Sequence, residues 1–164
     1  FVPMSCVSEN GHLTNPQTKR YAEVKNGFTY FQENDVLFAK ITPCMENGKG
    51  AVAIGLANGV GFGSTEYHVL RPINGKSNPY WLLALTRHPL FRLDAGKNMT
   101  GTAGQHRVPS SYLENFPVKL PDIITQNEFE KLYKQCETTK DKFRVAITSL
   151  NKAIKDITNQ AMEA

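Results

Sequence analysis

The C-terminal quarter of the chain is the feature that most constrains its fold. Residues 126–164 contain no glycine and no proline, whereas the residues before them contain all 12 glycines and all 9 prolines of the sequence. Both residue types are costly inside a helix and common in turns, so the first 125 residues are expected to form short elements joined by loops. The remainder is expected to form one uninterrupted helix.

This predicted helix carries a heptad repeat of apolar residues. Thr125 and Glu128 have the spacing of a capping box, which places the helix over residues 125–162. The a and d positions recur at alternating spacings of four and three, with Lys140 as a polar a residue and Ala161 as the last member. The predicted helix interface consists of Phe129, Tyr133, Cys136, Phe143, Ile147, Leu150, Ile154 and Ile157.

A helix of this length requires a partner outside the domain that precedes it. At about 1.5 Å per residue it spans on the order of 55 Å, whereas a domain of about 125 residues has a radius of gyration near about 14 Å. We therefore interpret it as a spacer or dimerisation helix, in which Lys140 helps to set the pairing register. The alternative is a core helix that folds back onto its own domain, although such a helix usually buries a wider stripe.

Residues 1–122 are predicted to form a separate domain of the mixed α/β (α+β) class, with a small mixed β-sheet and short helices. Strands are predicted at residues 36–42, 51–56, 65–70 and 116–120, where apolar runs are bounded by glycine or proline. Helices are predicted to begin at Pro79 and Pro89, each behind a polar capping residue. The chain begins with Phe1 rather than methionine, so the N-terminus of this domain is expected to be incomplete.

Motifs of several catalytic classes are absent from the sequence. The three cysteines form no C-x-x-C pair, and neither G-x-S-x-G nor H-E-x-x-H occurs, so no zinc site and no hydrolase is predicted. The glycine-rich run at residues 59–65 lacks the lysine of a phosphate-binding loop. Asn78, Pro79 and Tyr80 are one proline short of the tetrapeptide with which amino-group methyltransferases hold a flipped base. No apolar run reaches the roughly 18 residues of a membrane span.

The densest positive stretch of the first domain is residues 87–107. It holds four cations, with only Asp94 in opposition. Cations beside amide and hydroxyl side chains are typical of contacts to phosphate oxygens and base edges, and an ordinary solvated loop is the alternative. The predicted DNA-binding residues are Lys40, Lys49, Arg87, Arg92, Lys97, Asn98, Thr100, Thr102, Gln105, His106 and Arg107.

Three segments of the chain carry a family resemblance. They are residues 35–49 (DVLFAKITPCMENGK), 61–72 (GFGSTEYHVLRP) and 99–109 (MTGTAGQHRVP). In this order and spacing they resemble the target recognition domain of type I restriction-modification specificity subunits. Residues 1–5 (FVPMS) resemble an opening strand of that domain, and the predicted helix lies where the family has its spacer helix. The resemblance covers nearly the whole chain.

The resemblance implies a sequence-specific DNA-binding subunit that catalyses no reaction. Specificity subunits normally carry two recognition domains, each reading half of a split target in double-stranded DNA, with two antiparallel helices between them. They assemble with modification subunits, which bind S-adenosylmethionine and methylate adenine, and with restriction subunits, which cut DNA using ATP and Mg²⁺. The chain itself is then expected to bind no cofactor, metal or membrane, and to work in the cytoplasm of a bacterium or archaeon.

This chain has one recognition domain and one helix, which is half of the usual complement. It is either an excised half or a natural half-subunit, and its helix is expected to pair with a second recognition domain or a second copy. A symmetric dimer would read an interrupted palindrome. An alternative function is an orphan half-subunit that assembles through its helix without reading a target.

The resemblance also divides the predicted DNA-binding residues by role. Relatives that read different sequences share the family-like segments, so residues in those segments are expected to contact phosphates or shape loops. Lys40, Lys49, Thr100, Thr102 and Arg107 are assigned to this role, and His106 fits either role. Base reading is assigned to less family-like stretches, with the candidates Asn74, Lys76, Ser77, Arg87, His88, Arg92, Lys97 and Asn98.

Overall fold

The fold comprises two compact units, Phe1–Gln126 and the chain from Asn127 onward. The computed structural model describes every residue except Ala103 and Ala164, and it leaves the side chains of Ala161 and Glu163 undescribed. The first unit contains short strands and short helices, and a single helix forms the second. The predicted α+β class with one long C-terminal helix is confirmed.

The strands in the described part of the first unit form three small antiparallel sheets. Strand β1 pairs with β4 as a two-stranded ribbon, β2 lies between β3 and β5, and β6 pairs with β7 as a hairpin. The strands are β1 (Thr29–Gln32), β2 (Val36–Ala39), β3 (Gly50–Val52), β4 (Val60–Gly63), β5 (Tyr67–Leu70), β6 (Thr100–Thr102) and β7 (Gln105–Arg107).

Strand β2 is buried along its whole length, so the central sheet has apolar packing on both faces. Leu37 packs with Phe31 in one cluster, and Phe38 packs with Phe91 in another. Successive side chains of a strand point to opposite faces, which assigns the two clusters to the two sides of the sheet. The predicted extension of this strand to residue 42 is wrong, because β2 ends at Ala39 and the chain enters a turn.

Other predicted strands are also shorter than expected. Strand β3 ends at Val52 and β5 begins at Tyr67. Residues 1–5 form no strand, but Val2 makes one isolated bridge to Gly63 before a 3-10 turn over Met4–Cys6. This bridge requires glycine at position 63, since a Cβ there would lie 2.4 Å from the Val2 carbonyl oxygen.

Two helices begin at the predicted prolines. Helix α2 spans Pro79–Arg87 and α3 spans Pro89–Lys97. The side chains of Asn78 and His88 cap them, each accepting a hydrogen bond from the backbone N–H two residues on, at 2.8 and 3.2 Å. Proline at the first helical position loses no hydrogen bond, which makes this start readable from sequence. A short helix, α1 (Tyr21–Val24), was not predicted.

The strand predicted at residues 116–120 is wrong. Ser110–Asn115 forms helix α4, Phe116 follows its end, and the residues after it adopt no regular structure. The ring centroids of Phe116 and Phe91 lie 4.9 Å apart, so aromatic packing holds this segment instead of a strand ladder. Pro117 and Pro121 have no N–H to donate to such a ladder.

Helix α5 (Ile123–Glu163) begins two residues earlier than predicted. Its cap is Asp122, whose Oδ1 accepts a hydrogen bond from the Thr125 N–H at 2.9 Å. This bond is the main reason that the pKa of Asp122 lies below its ordinary value. The predicted capping box on Thr125 is therefore wrong, because a carboxylate directly after Pro121 satisfies the first free N–H groups of the helix.

The apolar seam of α5 is open to solvent from Phe143 onward, whereas the earlier seam residues Phe129 and Tyr133 are half-buried. The large side chains of the open part are between 56% and 66% exposed, and these are Phe143, Ile147, Leu150, Ile154 and Ile157. Apolar residues this exposed at heptad spacing are typical of a helix face that packs against another helix. Among the described helices, none combines the length and apolar character needed to cross a membrane.

Candidate nucleic-acid interface

The candidate interface is built around the hairpin of β6 and β7. Thr100 lies opposite Arg107 and Thr102 lies opposite Gln105. Gly101 has a φ of 139°, and a Cβ there would lie 2.3 Å from the Gln105 carbonyl oxygen, so the close approach of the strands requires glycine. Among the described residues of the two strands, the exposed side chains are polar, and they are Thr100, Thr102, Gln105 and His106.

Backbone hydrogen bonds join the hairpin to the chain that leaves β2. The Thr42 N–H donates to the His106 carbonyl oxygen at 3.0 Å, and the Val108 N–H donates to the Lys40 carbonyl oxygen at 2.9 Å. These bonds connect the first and third segments of the family resemblance. The hairpin is therefore held at the end of the central sheet.

His68 on β5 holds the chain where it leaves strand β7. Its Nε2 lies 2.7 Å from the Val108 carbonyl oxygen, and its ring stacks on Phe38 with centroids 6.3 Å apart. Burial lowers the pKa of His68, which keeps the ring neutral and Nε2 protonated as the donor of this bond. His68 thus has a structural role, which sequence reasoning missed.

Arg107 is paired with Glu66, which lies just before β5. Arg107 Nε donates to both carboxylate oxygens at 3.1 and 2.9 Å, and Nη2 donates to Oε1 at 2.8 Å. The hydrogen bond from Arg107 is the main cause that lowers the pKa of Glu66, and the same bond raises the pKa of Arg107. This planar pair links the second and third segments of the resemblance.

Arg92 fastens α3 to the turn formed by residues 41–49. Its Nε donates to the Arg87 carbonyl oxygen at 3.1 Å, and its Nη1 donates to the Glu46 carbonyl oxygen at 2.5 Å. Within the turn, Thr42 Oγ1 donates to Glu46 Oε1 at 2.9 Å. The guanidinium of Arg92 therefore orders the turn.

Arg87 is engaged in the same way. Its Nη2 donates to the Glu9 carbonyl oxygen at 2.7 Å, and Asn47 Nδ2 donates to the Glu9 carboxylate at 2.9 Å. The structure thus brings Arg87, Arg92 and Arg107 into one connected region, as the charge pattern suggested. It also gives each of these arginines a structural partner within the chain.

The other predicted DNA-binding residues differ in exposure. Lys97 is exposed at the end of α3, while Lys40 and Lys49 are half-buried at the two ends of the 41–49 turn. Asn98 Nδ2 donates to the Asp94 carbonyl oxygen at 2.9 Å, so its amide group closes the last turn of α3. The region presents ammonium, hydroxyl, amide and imidazole groups, which are the donors that contact phosphates and base edges.

Sequence reasoning missed the partners of Arg107 and Arg87, which are Glu66 and Glu9. Glu66 and Arg107 are 41 residues apart, and Arg87 and Glu9 are 78 residues apart, so no local pattern connects them. One signal was available for Glu66, since it lies in a segment of the family resemblance. In the part of the chain that the structure describes, no three His, Cys, Asp or Glu side chains are grouped to hold a metal ion.

Comparison with known proteins supports the family resemblance. The chain is 40% identical over 156 residues to the type I restriction enzyme EcoEI specificity subunit of Escherichia coli. It is 37% identical over 156 residues to the EcoAI specificity subunit of the same species. Each match covers 92% of this chain and 26% of the relative, so the chain spans about a quarter of the length of these curated relatives.

A solved structure shows the same fold. The crystal structure of the HsdS subunit from Thermoanaerobacter tengcongensis matches with a TM-score of 0.67 and 21% sequence identity. The match covers 88% of this chain and 37% of that subunit. No family model matches the chain. The resemblance predicted from three segments is confirmed by the relatives, and the fold is confirmed by the solved structure.

Proposed function

We propose that this chain, which is related to type I restriction enzyme specificity subunits over 92% of its length, is a non-catalytic reader of one half of a split DNA target. It would direct separate modification and restriction subunits to that target. In this role it binds double-stranded DNA and none of the cofactors of those subunits, which are S-adenosylmethionine, ATP and Mg²⁺. It would work in the cytoplasm of a bacterium or archaeon.

One observation carries this proposal: the three segments that resemble the family meet at one polar region. Lys40 and Val108 are joined by a backbone hydrogen bond, Lys40 N–H also donates to the Glu66 carbonyl oxygen at 3.0 Å, and Glu66 pairs with Arg107. Segments far apart in sequence thus build a single scaffold that carries the hairpin. A two-stranded ribbon of this kind fits the major groove of DNA.

The geometry supports a narrower division of roles within the interface. Because Arg87 and Arg92 donate to main-chain carbonyl oxygens, we assign them to loop architecture. Exposed Lys97, Gln105 and His106 are then the stronger candidates for contact with bases or phosphates. Lys40, Lys49, Thr100, Thr102 and Arg107 keep their proposed role in phosphate contact or hairpin support.

The exposed seam of α5 supports a helical partner. We propose that the partner is the α5 helix of a second copy, or the matching helix of a second recognition domain. In an antiparallel pair, one register sets every a position opposite a d position of the partner. This register places Cys136 opposite the partner's Ile154 and Phe143 opposite the partner's Ile147. A dimer of this kind would present two identical readers to an interrupted palindrome.

The second candidate function is assembly through α5 without target reading. It is favoured by one observation, namely that Arg87, Arg92 and Arg107 all donate to groups of their own chain. An orphan half-subunit of this kind would dock on a complex and leave its DNA specificity unchanged.

DNA binding in the presence of the modification subunit separates the two functions. A reader should bind a duplex that contains its split target more tightly than an unrelated duplex, and affinity should fall steeply with salt as counterions are released. Lys97→Ala should reduce the slope of log affinity against log salt by about one for a phosphate contact. Lys131→Ala, an exposed lysine on α5, is the matched control and should leave the slope unchanged. Binding that ignores both sequence and salt would favour the orphan function.

A further inference from the structure

Strand β5 forms one edge of the central sheet, and this edge has unpaired backbone groups. The Lys40 N–H donates to the Glu66 carbonyl oxygen at 3.0 Å, in the register of the ladder that joins β2 to β5. Every second residue of an antiparallel strand bonds to its neighbour, so Val69 and Arg71 point their backbone groups away from β2. In the described part of the chain, no hydrogen bond reaches these outward groups. Such an edge can accept a further strand.

An apolar groove of about 380 Å³ opens beside this edge, and all the residues that line it belong to the first unit. Residues 69–71 and part of α2 line it, together with Ile73, Val118 and Leu120, which are 61%, 46% and 43% exposed. Of the candidate DNA contacts named from the sequence, only Ser77 lines the groove, and its Oγ accepts a hydrogen bond from the Ile73 N–H at 2.8 Å. Exposed apolar side chains grouped in this way are typical of a protein contact.

The charge beside the groove is positive. Among the described residues that line it, Arg71 is the only charged one, and its side chain is 53% exposed. Its Nε and Nη2 donate to the carboxylate of Asp35 at 2.9 and 2.7 Å, while Nη1 has no hydrogen-bond partner in the described chain. Lys119 is also exposed, between two residues that line the groove. These cations favour an occupant that carries a carboxylate at the Arg71 end.

We infer that an extended segment of a partner protein binds at this edge as a further strand. Its backbone would exchange hydrogen bonds with Val69 and Arg71, and every second side chain would enter the groove. An acidic residue of the segment would lie beside the Arg71 guanidinium. The inference goes beyond the proposed function and does not depend on it, because Lys97, residues 40–49 and the hairpin take no part in the groove.

Two other occupants fit the groove and the edge less well. A helix bonds its own backbone groups internally, so it would leave those of β5 unpaired. A second copy could pair through its own β5, but the side chains of that strand are already packed in their own domain. Val69 packs against the cluster that contains Leu37, and His68 stacks on Phe38. An extended segment with apolar side chains satisfies both the edge and the groove.

A labelled synthetic peptide tests this inference by fluorescence anisotropy on the full chain. The peptide alternates leucine with threonine and ends in two aspartates, and further peptides carry valine or phenylalanine in place of leucine. Ile73→Asp should weaken binding at least about tenfold, because it puts a charge on the apolar lining and repels the acidic end of the peptide. The matched control is Leu93→Asp on α3, at a position that is 60% exposed and outside the groove. It should change affinity by less than about twofold.

Backbone bonding separates strand addition from a general apolar contact. N-methyl groups on every second residue of the peptide block the N–H groups along one of its two edges. Methylation of one alternating set should abolish binding, and methylation of the other set should preserve it. The bound peptide should also slow the hydrogen exchange of the Val69 amide, which faces the open edge of β5.

Three results would overturn the inference. They are no binding by any peptide of the set, equal losses in the Ile73 and Leu93 variants, and equal binding of the two methylated peptides. Self-association that Ile73→Asp abolished would assign the edge to a second copy and would also contradict it. Thermal unfolding of each variant checks that the exposed substitutions leave the fold intact. Binding of the target duplex, measured in parallel, keeps the two proposals separate, since its failure alone would contradict only the proposed function.

Discussion

The guanidinium of Arg107 lies against the carboxylate of Glu66, with Nη2 2.8 Å from Oε1 and Nε within hydrogen-bonding distance of both oxygens. Arg107 ends the second strand of the hairpin, and Glu66 precedes the edge strand of the central sheet. The pair therefore attaches a polar, exposed ribbon to the central sheet.

The first prediction concerns the acid dependence of this attachment. The pKa of Glu66 is lowered in the folded chain, so its ion pair stabilises the fold above the ordinary value of 4.5 and is lost as pH falls through the lower, folded value. Glu66→Gln should therefore reduce the free energy of unfolding at pH 7, and the difference from the unchanged chain should shrink on acidification. Urea unfolding at several pH values measures it.

An exposed glutamate on α5 serves as the control for that prediction. Glu128→Gln removes a carboxylate without removing the Arg107 pair, and it should leave the acid dependence unchanged. The loss of unfolding free energy caused by Glu66→Gln could instead stay constant down to pH 3. That result would show that the carboxylate acts through its shape and not its charge.

The second prediction concerns Gln126, which is fully buried at the end of the first unit. Its Oε1 accepts a hydrogen bond from the Asn78 N–H at 2.9 Å, and its Nε2 donates to the carbonyl oxygens of Lys76 and Pro121 at 3.1 and 2.7 Å. Gln126→Ala leaves these backbone groups without their partner, and should lower the free energy of unfolding by about 1–3 kcal/mol.

Denaturant unfolding of the first unit measures this loss. Gln135→Ala, at an exposed position of α5, is the matched control and should change stability by less than about 0.5 kcal/mol. Equal effects of the two substitutions would mean that the buried amide contributes little.

These contacts explain which parts of the fold were readable from sequence. Helix α5 follows from a periodicity repeated over five heptads, and the starts of α2 and α3 follow from a capping residue beside proline. Each of these signals is local. The bonds of Gln126 to Asn78 and of Arg107 to Glu66 join residues 48 and 41 positions apart, so no window of sequence contains them.

The sequence predicted the region of the candidate site but not the role of each residue in it. Charge density placed Arg87, Arg92 and Arg107 together, but composition cannot tell an arginine that binds DNA from one that ties its own backbone. The strand predicted at residues 116–120 failed for a related reason, since Phe116 packs on a distant ring of α3. Tertiary packing decides both cases.

The third prediction tests the seam of α5. Ile147→Asp combined with Ile154→Asp puts two carboxylates where the partner helix would bury them without a counter-charge, and should abolish self-association or partner docking. Sedimentation velocity measures the association. The control pair is Thr148→Asp with Lys155→Asp, one position further along the helix and off the seam, and it should associate normally. Normal assembly of the double variant at Ile147 and Ile154 would rule out the seam as the surface of association.

The fourth prediction tests the register of the proposed pair. Ile154→Cys should form a disulfide with Cys136 of a second copy under mild oxidation, because the antiparallel register sets these positions opposite each other. Cys136 is exposed and free in the single chain. Ile147→Cys, one heptad away, should cross-link poorly to Cys136. Efficient cross-linking of this variant would contradict the proposed register and indicate one that differs by a heptad.

Methylome sequencing of the source strain, with and without the gene, is the most direct test of the central claim. A subunit that reads half of a split target should be required for methylation of adenine at one interrupted motif, and that motif should lose methylation when the gene is deleted. If two copies assemble through α5, the motif should be palindromic. An unchanged methylome after deletion, in a strain where the modification subunit is active, would contradict the claim that this chain reads DNA.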